Sequence, residues 1–290
     1  LAPPLVQRKS HSKDIPPAGR SNMIPLRDNI ASQRQPVVSL LLIGSCAAVF
    51  LAQLAHSKRP GEPGLTSEYG MIPFRITHPG EPFEIPVGRQ LVRTPWGVEE
   101  RLIVEPGRPA AVPPLLTPLT CIFLHGGWMH IIGNLWFLWI FGDNVEDRLG
   151  HGAFLVFYLA TGVIASLAHL LTDPASTVPT IGASGAIAGV MGAYFVWYPH
   201  SRVQALVPFF GFLQIMEIPA PFFLGLWFLM QFLNGTFSPA GAGGVAWWAH
   251  IGGFVAGVVI ALILAPTHFL APKRPYRPPP FQHRREGPWL

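Results

Sequence analysis

The sequence predicts an all-α polytopic membrane protein, a bundle of six transmembrane helices with a large outer loop between the first and second. Three observations carry this expectation. Half of the 290 residues are hydrophobic and only 12% are charged, against roughly 25% charged in an average soluble domain. Residues 1–36 hold eight charges, 57–115 hold fourteen and 266–290 hold six, leaving seven for the other 170 positions. Between the charged stretches lie apolar runs long enough to cross a bilayer core of about 30 Å at about 1.5 Å per residue. The formal charge of +5 resides in two basic tails, so a nucleic-acid partner is a poor explanation for it. Cys46 and Cys121, the only cysteines, offer neither a disulfide framework nor a thiolate metal site.

Residues 1–36 carry six prolines and no apolar period, and read as a disordered basic tail. Residues 37–56 form the first span. The loop 57–116 is rich in proline, and its 57–115 stretch has seven charges of each sign. Arg89–Arg93 and Val98–Val104 flank Thr94-Pro95-Trp96-Gly97 there and suggest a hairpin. The remaining five spans fall within 117–265, at about 127–143, 153–171, 182–198, 219–234 and 243–265. Residues 205–218 are apolar but broken by Pro208, Gly211 and Glu217, and are expected at the interface. Residues 266–290 form a second basic, proline-rich tail. Positive residues in both tails place both termini in the cytoplasm, which requires an even number of spans. The loop 57–116 then lies outside.

Polar side chains inside hydrocarbon are functional candidates until a structural partner is found. Here they are His125, His130, Asn134, His169, Ser184, Glu217, Gln231 and His250. The topology gathers His125, His130, Asn134, Ser184 and His250 in the outer half of the bilayer. His130 and Asn134 are four apart and share a helix face. His250 heads a stripe with Gly253 and Gly257, matched by Gly185, Gly189 and Gly192 on the fourth span, so close approach of these two helices would bring Ser184 to His250. Taken singly, each feature has a plainer reading: the glycines as packing, Ser184 as a helix cap. Together they offer a nucleophile, a base and free backbone N–H groups for an oxyanion. His169 is expected to snorkel, Gln231 to bond across helices and Glu217 to sit at the far interface. A zinc site on His125, His130 and His250 is the sharper rival, but no HExxH motif supplies a base.

His125-Gly-Gly-Trp-Met-His130-Ile-Ile-Gly-Asn134, Gly182-Ala-Ser184-Gly185 and Ala249-His250-Ile-Gly-Gly253-Phe-Val-Ala-Gly257 resemble the three signatures of the rhomboid intramembrane serine proteases, of bacterial type. The resemblance covers about 117–265. It implies a six-helix rhomboid bundle in a bacterial inner membrane, with an outward-open aqueous cavity that cleaves transmembrane protein substrates. It further implies Ser184 as nucleophile and His250 as base without a carboxylate, and His130 and Asn134 as oxyanion donors. His125, Gly182, Gly185, Gly253 and Gly257 would be structural near the site. Neither metal nor other cofactor is implied, and oligomeric state is left open. Two positions depart from the family pattern. Ala188 stands where an aromatic often stacks on the catalytic histidine, and Leu116-Thr117 replaces the Trp-Arg pair of some bacterial members. The alternative is a rhomboid-like pseudoprotease that binds transmembrane clients without cutting them; the Ser184 and His250 pair argues against it.

Overall fold

The computed structural model describes residues 23–56, 64–94, 97–209, 212–237 and 245–266. Helix α1, Val37–His56, starts directly after Pro36, which cannot continue a helix backwards with a donor. Its first N–H groups have no partner within the helix. Glu146 meets them: its buried carboxylate accepts from Val38 N and Ser39 N at 2.8 Å and from Ser39 Oγ at 2.7 Å, and His151 Nδ1 lies 2.6 Å away. That demand explains why α5, Trp128–Leu149, continues past the expected end near 143. The segment Asp143–Arg148 is helix, not loop, because only a helix carries Glu146 to the start of α1.

Five long or medium helices otherwise stand where the apolar runs placed them. They are α5, α6 at His151–Thr172, α7 at Ser184–Trp197, α8 at Ala220–Phe237 and α9 at Trp247–Leu264. Among the described residues, α1, α6, α8 and α9 are long and apolar enough to cross a membrane. The Pro114–Phe123 and Trp128–Leu149 pair, bent by 81° at its break, would make a fifth. Helix α7 has 14 residues, about 21 Å at 1.5 Å each.

The loop before α5 is largely structured. It contains α2, Leu65–Tyr69, α3, Pro73–Thr77, and an antiparallel hairpin of β2, Glu84–Thr94, with β3, Gly97–Pro106. The expected hairpin is therefore present and longer than the sequence suggested. A short helix α4, Thr117–Thr120, and two 3₁₀ turns lead into α5. The same loop also clasps the segment ahead of α7. Met71 and Thr180 exchange both backbone hydrogen bonds, at 3.1 and 2.7 Å, and Phe74 N donates to Ser176 O at 2.9 Å.

Strands appear at the other end of the bundle. Residues 205–218, expected at the interface, have a regular backbone: β4, Arg202–Phe209, and β5, Phe212–Pro219, pair antiparallel from Arg202↔Pro219 to Phe209↔Phe212. One expectation fails here, since not all of 1–36 is disordered. Ile24–Asp28 forms a strand, β1 in chain order, which pairs antiparallel with β4. The pairing supplies backbone partners, and three side chains fasten it. Trp136 Nε1 donates to Pro25 O at 2.6 Å, while Asn144 Nδ2 and Tyr194 OH donate to Asp28 Oδ2 at 2.8 and 2.5 Å. The rest of that tail, residues 1–22, and residues 267–290 of the second one lie outside the described residues.

Burial raises the Asp28 carboxyl to about 7, partly offset by the Tyr194 hydrogen bond, with nearby Asp143 adding to the rise. An undocked Asp titrates near about 3.9. The docked strand thus holds its proton over a range where the free strand has lost it. Docking is fully favoured below the lower value and weakens as pH rises through 7. A nitroxide at exposed position 24 is expected to gain mobility between pH 5 and 8, and Asp28→Asn to abolish that dependence. A pH-independent spectrum in the unsubstituted chain would contradict the assignment.

Candidate active site

Helices α7 and α9 make the tightest contact in the bundle, backbone against backbone. A Cβ on Gly253 would collide with Gly185 O, one on Gly257 with Gly189 O, and one on Gly192 with Phe254 O. No residue but glycine fits these three points without a shift. On its other side Gly185 faces Ala165 of α6, 2.6 Å from where its own Cβ would stand.

This approach brings Ser184 Oγ to 2.7 Å from His250 Nε2. Ser184 is the first residue of α7, after an Ala183 N-cap that makes no side-chain cap bond. The reading of Ser184 as a cap therefore gives way: its hydroxyl faces the imidazole. The ring of His250 is buried, with Gln231 Oε1 of α8 2.8 Å from Nδ1. The indoles of Trp227 and Trp247 flank it, with centroids 5.9 and 6.2 Å away. Position 188 is a fully buried alanine.

His130 lies beside the turn that precedes Ser184. Gly126 N–H donates to its Nδ1 at 3.2 Å, so the neutral ring carries its proton on Nε2. Gly182 has φ of 124°, a conformation strained for any side chain. The place where its Cβ would stand lies 2.7 Å from His130 Nε2 and 3.6 Å from Ser184 Oγ. A side chain there would fill the space between donor and hydroxyl. Asn134, one turn further along α5, is buried, and its Nδ2 has no hydrogen-bond partner among the described groups.

His125 packs its ring edge-on against His130, centroids 5.3 Å apart. Its backbone is clasped by Gln53 of α1, which accepts from His125 N at 3.0 Å and donates to His125 O at 3.1 Å. Gln53 had no signal in the sequence beyond being polar in an apolar run. Gln231 was expected only to bond across helices; its partner is the imidazole itself. His169 is half-buried near the end of α6. Glu217 lies on β5, accepts from Gln204 at 3.1 Å, and belongs to the end of the bundle remote from Ser184.

Fold and site together define a helical polytopic membrane protein with a serine hydroxyl and an imidazole paired inside the bundle. The sequence profile of the rhomboid domain matches residues 114–267, just over half of the chain, and the chain belongs to the rhomboid family. It is similar to Rhomboid-like protein 11, chloroplastic, of Arabidopsis thaliana, 30% identical over 158 residues, which are 51% of each chain. RHOMBOID-like protein 5 of the same plant is 28% identical over 198 residues, 66% of this chain and 55% of its own. Rhomboid protease GluP of Bacillus subtilis (strain 168) is 46% identical over 79 residues, 27% of this chain and 14% of its own. The chain thus spans about half the length of the two plant relatives. Plant and bacterial relatives appear side by side, so the similarity does not single out a bacterial type.

Gly257→Ala is expected to lower the unfolding free energy in detergent by about 1–3 kcal/mol, because the new methyl meets backbone. Gly44→Ala on α1, where a Cβ has nothing within 4 Å, is expected to be neutral. Equal stability of the two variants would contradict the close α7–α9 contact.

Proposed function

We infer that this protein is an intramembrane serine endopeptidase that cleaves transmembrane substrates with Ser184 and His250. The observation that carries the reading is the 2.7 Å hydrogen bond between Ser184 Oγ and His250 Nε2, at the start of a helix whose first N–H groups have no partner within it. Ser184 Oγ attacks the scissile carbonyl carbon while His250 Nε2 takes the hydroxyl proton. The carbonyl oxygen becomes an oxyanion in the space that Gly182 leaves open. Ser184 N–H, His130 Nε2–H and the unpaired Asn134 Nδ2 are the donors for it. Collapse breaks the C–N bond; the imidazolium gives its proton to the leaving amine, and an acyl ester remains on Ser184. A water, deprotonated by His250, attacks the ester and releases the carboxylate and the serine.

Two physical features favour a site below the membrane surface. Helix α7 spans about 21 Å of a core of about 30 Å, so a helix that reaches one face begins inside the other leaflet. Hydrolysis consumes water, which hydrocarbon does not supply, and the polar groups His125, His130, Asn134, Ser184 and His250 give an aqueous cavity its lining. In this reading α7 is the short member of a six-crossing bundle whose remainder occupies 117–265. Basic residues near both tails place them in the cytoplasm and the Ser184 end outside, across a bacterial plasma membrane. Substrates are the transmembrane segments of other proteins in the same bilayer.

Ser184→Ala is expected to abolish cleavage of a reconstituted transmembrane substrate while the protein stays folded. His130→Ala or Asn134→Ala should lower kcat by about 10²–10³-fold. Undiminished product from the Ser184→Ala protein would refute the reading.

A further inference from the structure

We propose that Gln231 is the positioning residue for His250, holding the imidazole in the tautomer and orientation that proton abstraction from Ser184 requires. The inference rests on the reading of Ser184 and His250 given above. Gln231 is buried in α8, 7% exposed, and its two amide ends have different partners. Nε2 donates to Trp227 O at 3.3 Å, one turn back on the same helix. That bond turns Oε1 toward His250 Nδ1, at 2.8 Å. A carbonyl oxygen only accepts, so Nδ1 must carry the ring proton. Nε2 is then left with its lone pair facing Ser184 Oγ at 2.7 Å. The other tautomer would set the Nδ1 lone pair against the amide oxygen.

Among the described residues, no other group around the ring accepts from Nδ1. Ala188 brings no aromatic face, and Trp227 and Trp247 confine the ring without accepting from Nδ1. The acceptor also comes from the helix with few anchors: of the eighteen residues of α8, only Ala220, Phe223, Leu224 and Gln231 are buried. Orientation of the base therefore depends on α8 lying against α9.

The test is steady-state cleavage of a reconstituted transmembrane substrate by the full chain carrying Gln231→Leu, Gln231→Asn or Gln231→Glu. Leu keeps the volume and removes the acceptor, Asn withdraws it by one methylene, and Glu retains an accepting oxygen. Expected is a loss in kcat of about 10–100-fold for Leu and Asn with KM unchanged, and recovery of most of the rate by Glu. A merely structural role would lower the unfolding temperature and leave kcat of the folded protein intact. Should the Leu variant fail to fold, the Asn variant decides alone. Full kcat in Gln231→Asn, or equal losses in the Leu and Glu variants, overturns the proposal. If Ser184→Ala is inactive while Gln231→Asn is fully active, only the positioning role falls; if Ser184→Ala still cleaves, the reading beneath it falls as well.

Discussion

The backbone contact between α7 and α9 is the constraint on which the rest depends. Ser184 and His250 are 66 positions apart in sequence, and each sits on a helix whose facing surface is glycine. Because Gly253 and Gly257 stand against the carbonyls of Gly185 and Gly189, no side-chain layer separates the two backbones. A serine and a histidine near the same end of such a pair are brought within hydrogen-bond reach by the packing itself. With larger residues in the stripes, helices would stand 8–10 Å or so apart, and a hydroxyl on so short a side chain would not reach the ring as closely.

The second organising demand is that polar groups within the bundle find partners. Glu146 takes up the first donors of α1, Gln53 clasps the backbone at His125, and Gln231 meets both Trp227 O and His250. These arrangements tie α1 to α5 and α8 to α9. Some polar groups find none: among the described groups Asn134 Nδ2 is a buried donor without a partner, and both ring nitrogens of His125 are likewise unpaired. An unpaired buried amide is costly in a resting structure. The loop before α5 adds a third tie, since residues 71–77 bond to 174–180, the segment that leads to Gly182 and Ser184.

Much of this was legible in the sequence. The apolar runs located α1, α6, α7, α8 and α9 to within a few residues, because hydrocarbon imposes length and composition together. The glycine stripes and the Gly-Ala-Ser-Gly turn led to the pairing of Ser184 with His250. What escaped depended on partners far away in the chain. Ile24–Asp28 has the polar, proline-bearing composition of a tail, and becomes a strand only because β4 lies beside it. The helical end of α5 required knowing that Glu146 meets Ser39. Residues 205–218 read as an interrupted apolar segment, with no sign in the sequence that its two halves pair as strands. Gln231 was visible as a polar residue in a span, yet nothing in its spacing from His250 revealed that the two side chains meet.

The most direct measurement of the central claim is mass-spectrometric mapping of the adduct formed by a fluorophosphonate probe on the folded protein in membranes. Such a probe needs an activated hydroxyl with a base beside it. The account predicts a single adduct on Ser184 that disappears when His250 is replaced by alanine. An adduct on a different serine, or labelling of Ser184 that persists undiminished without the His250 imidazole, would contradict it.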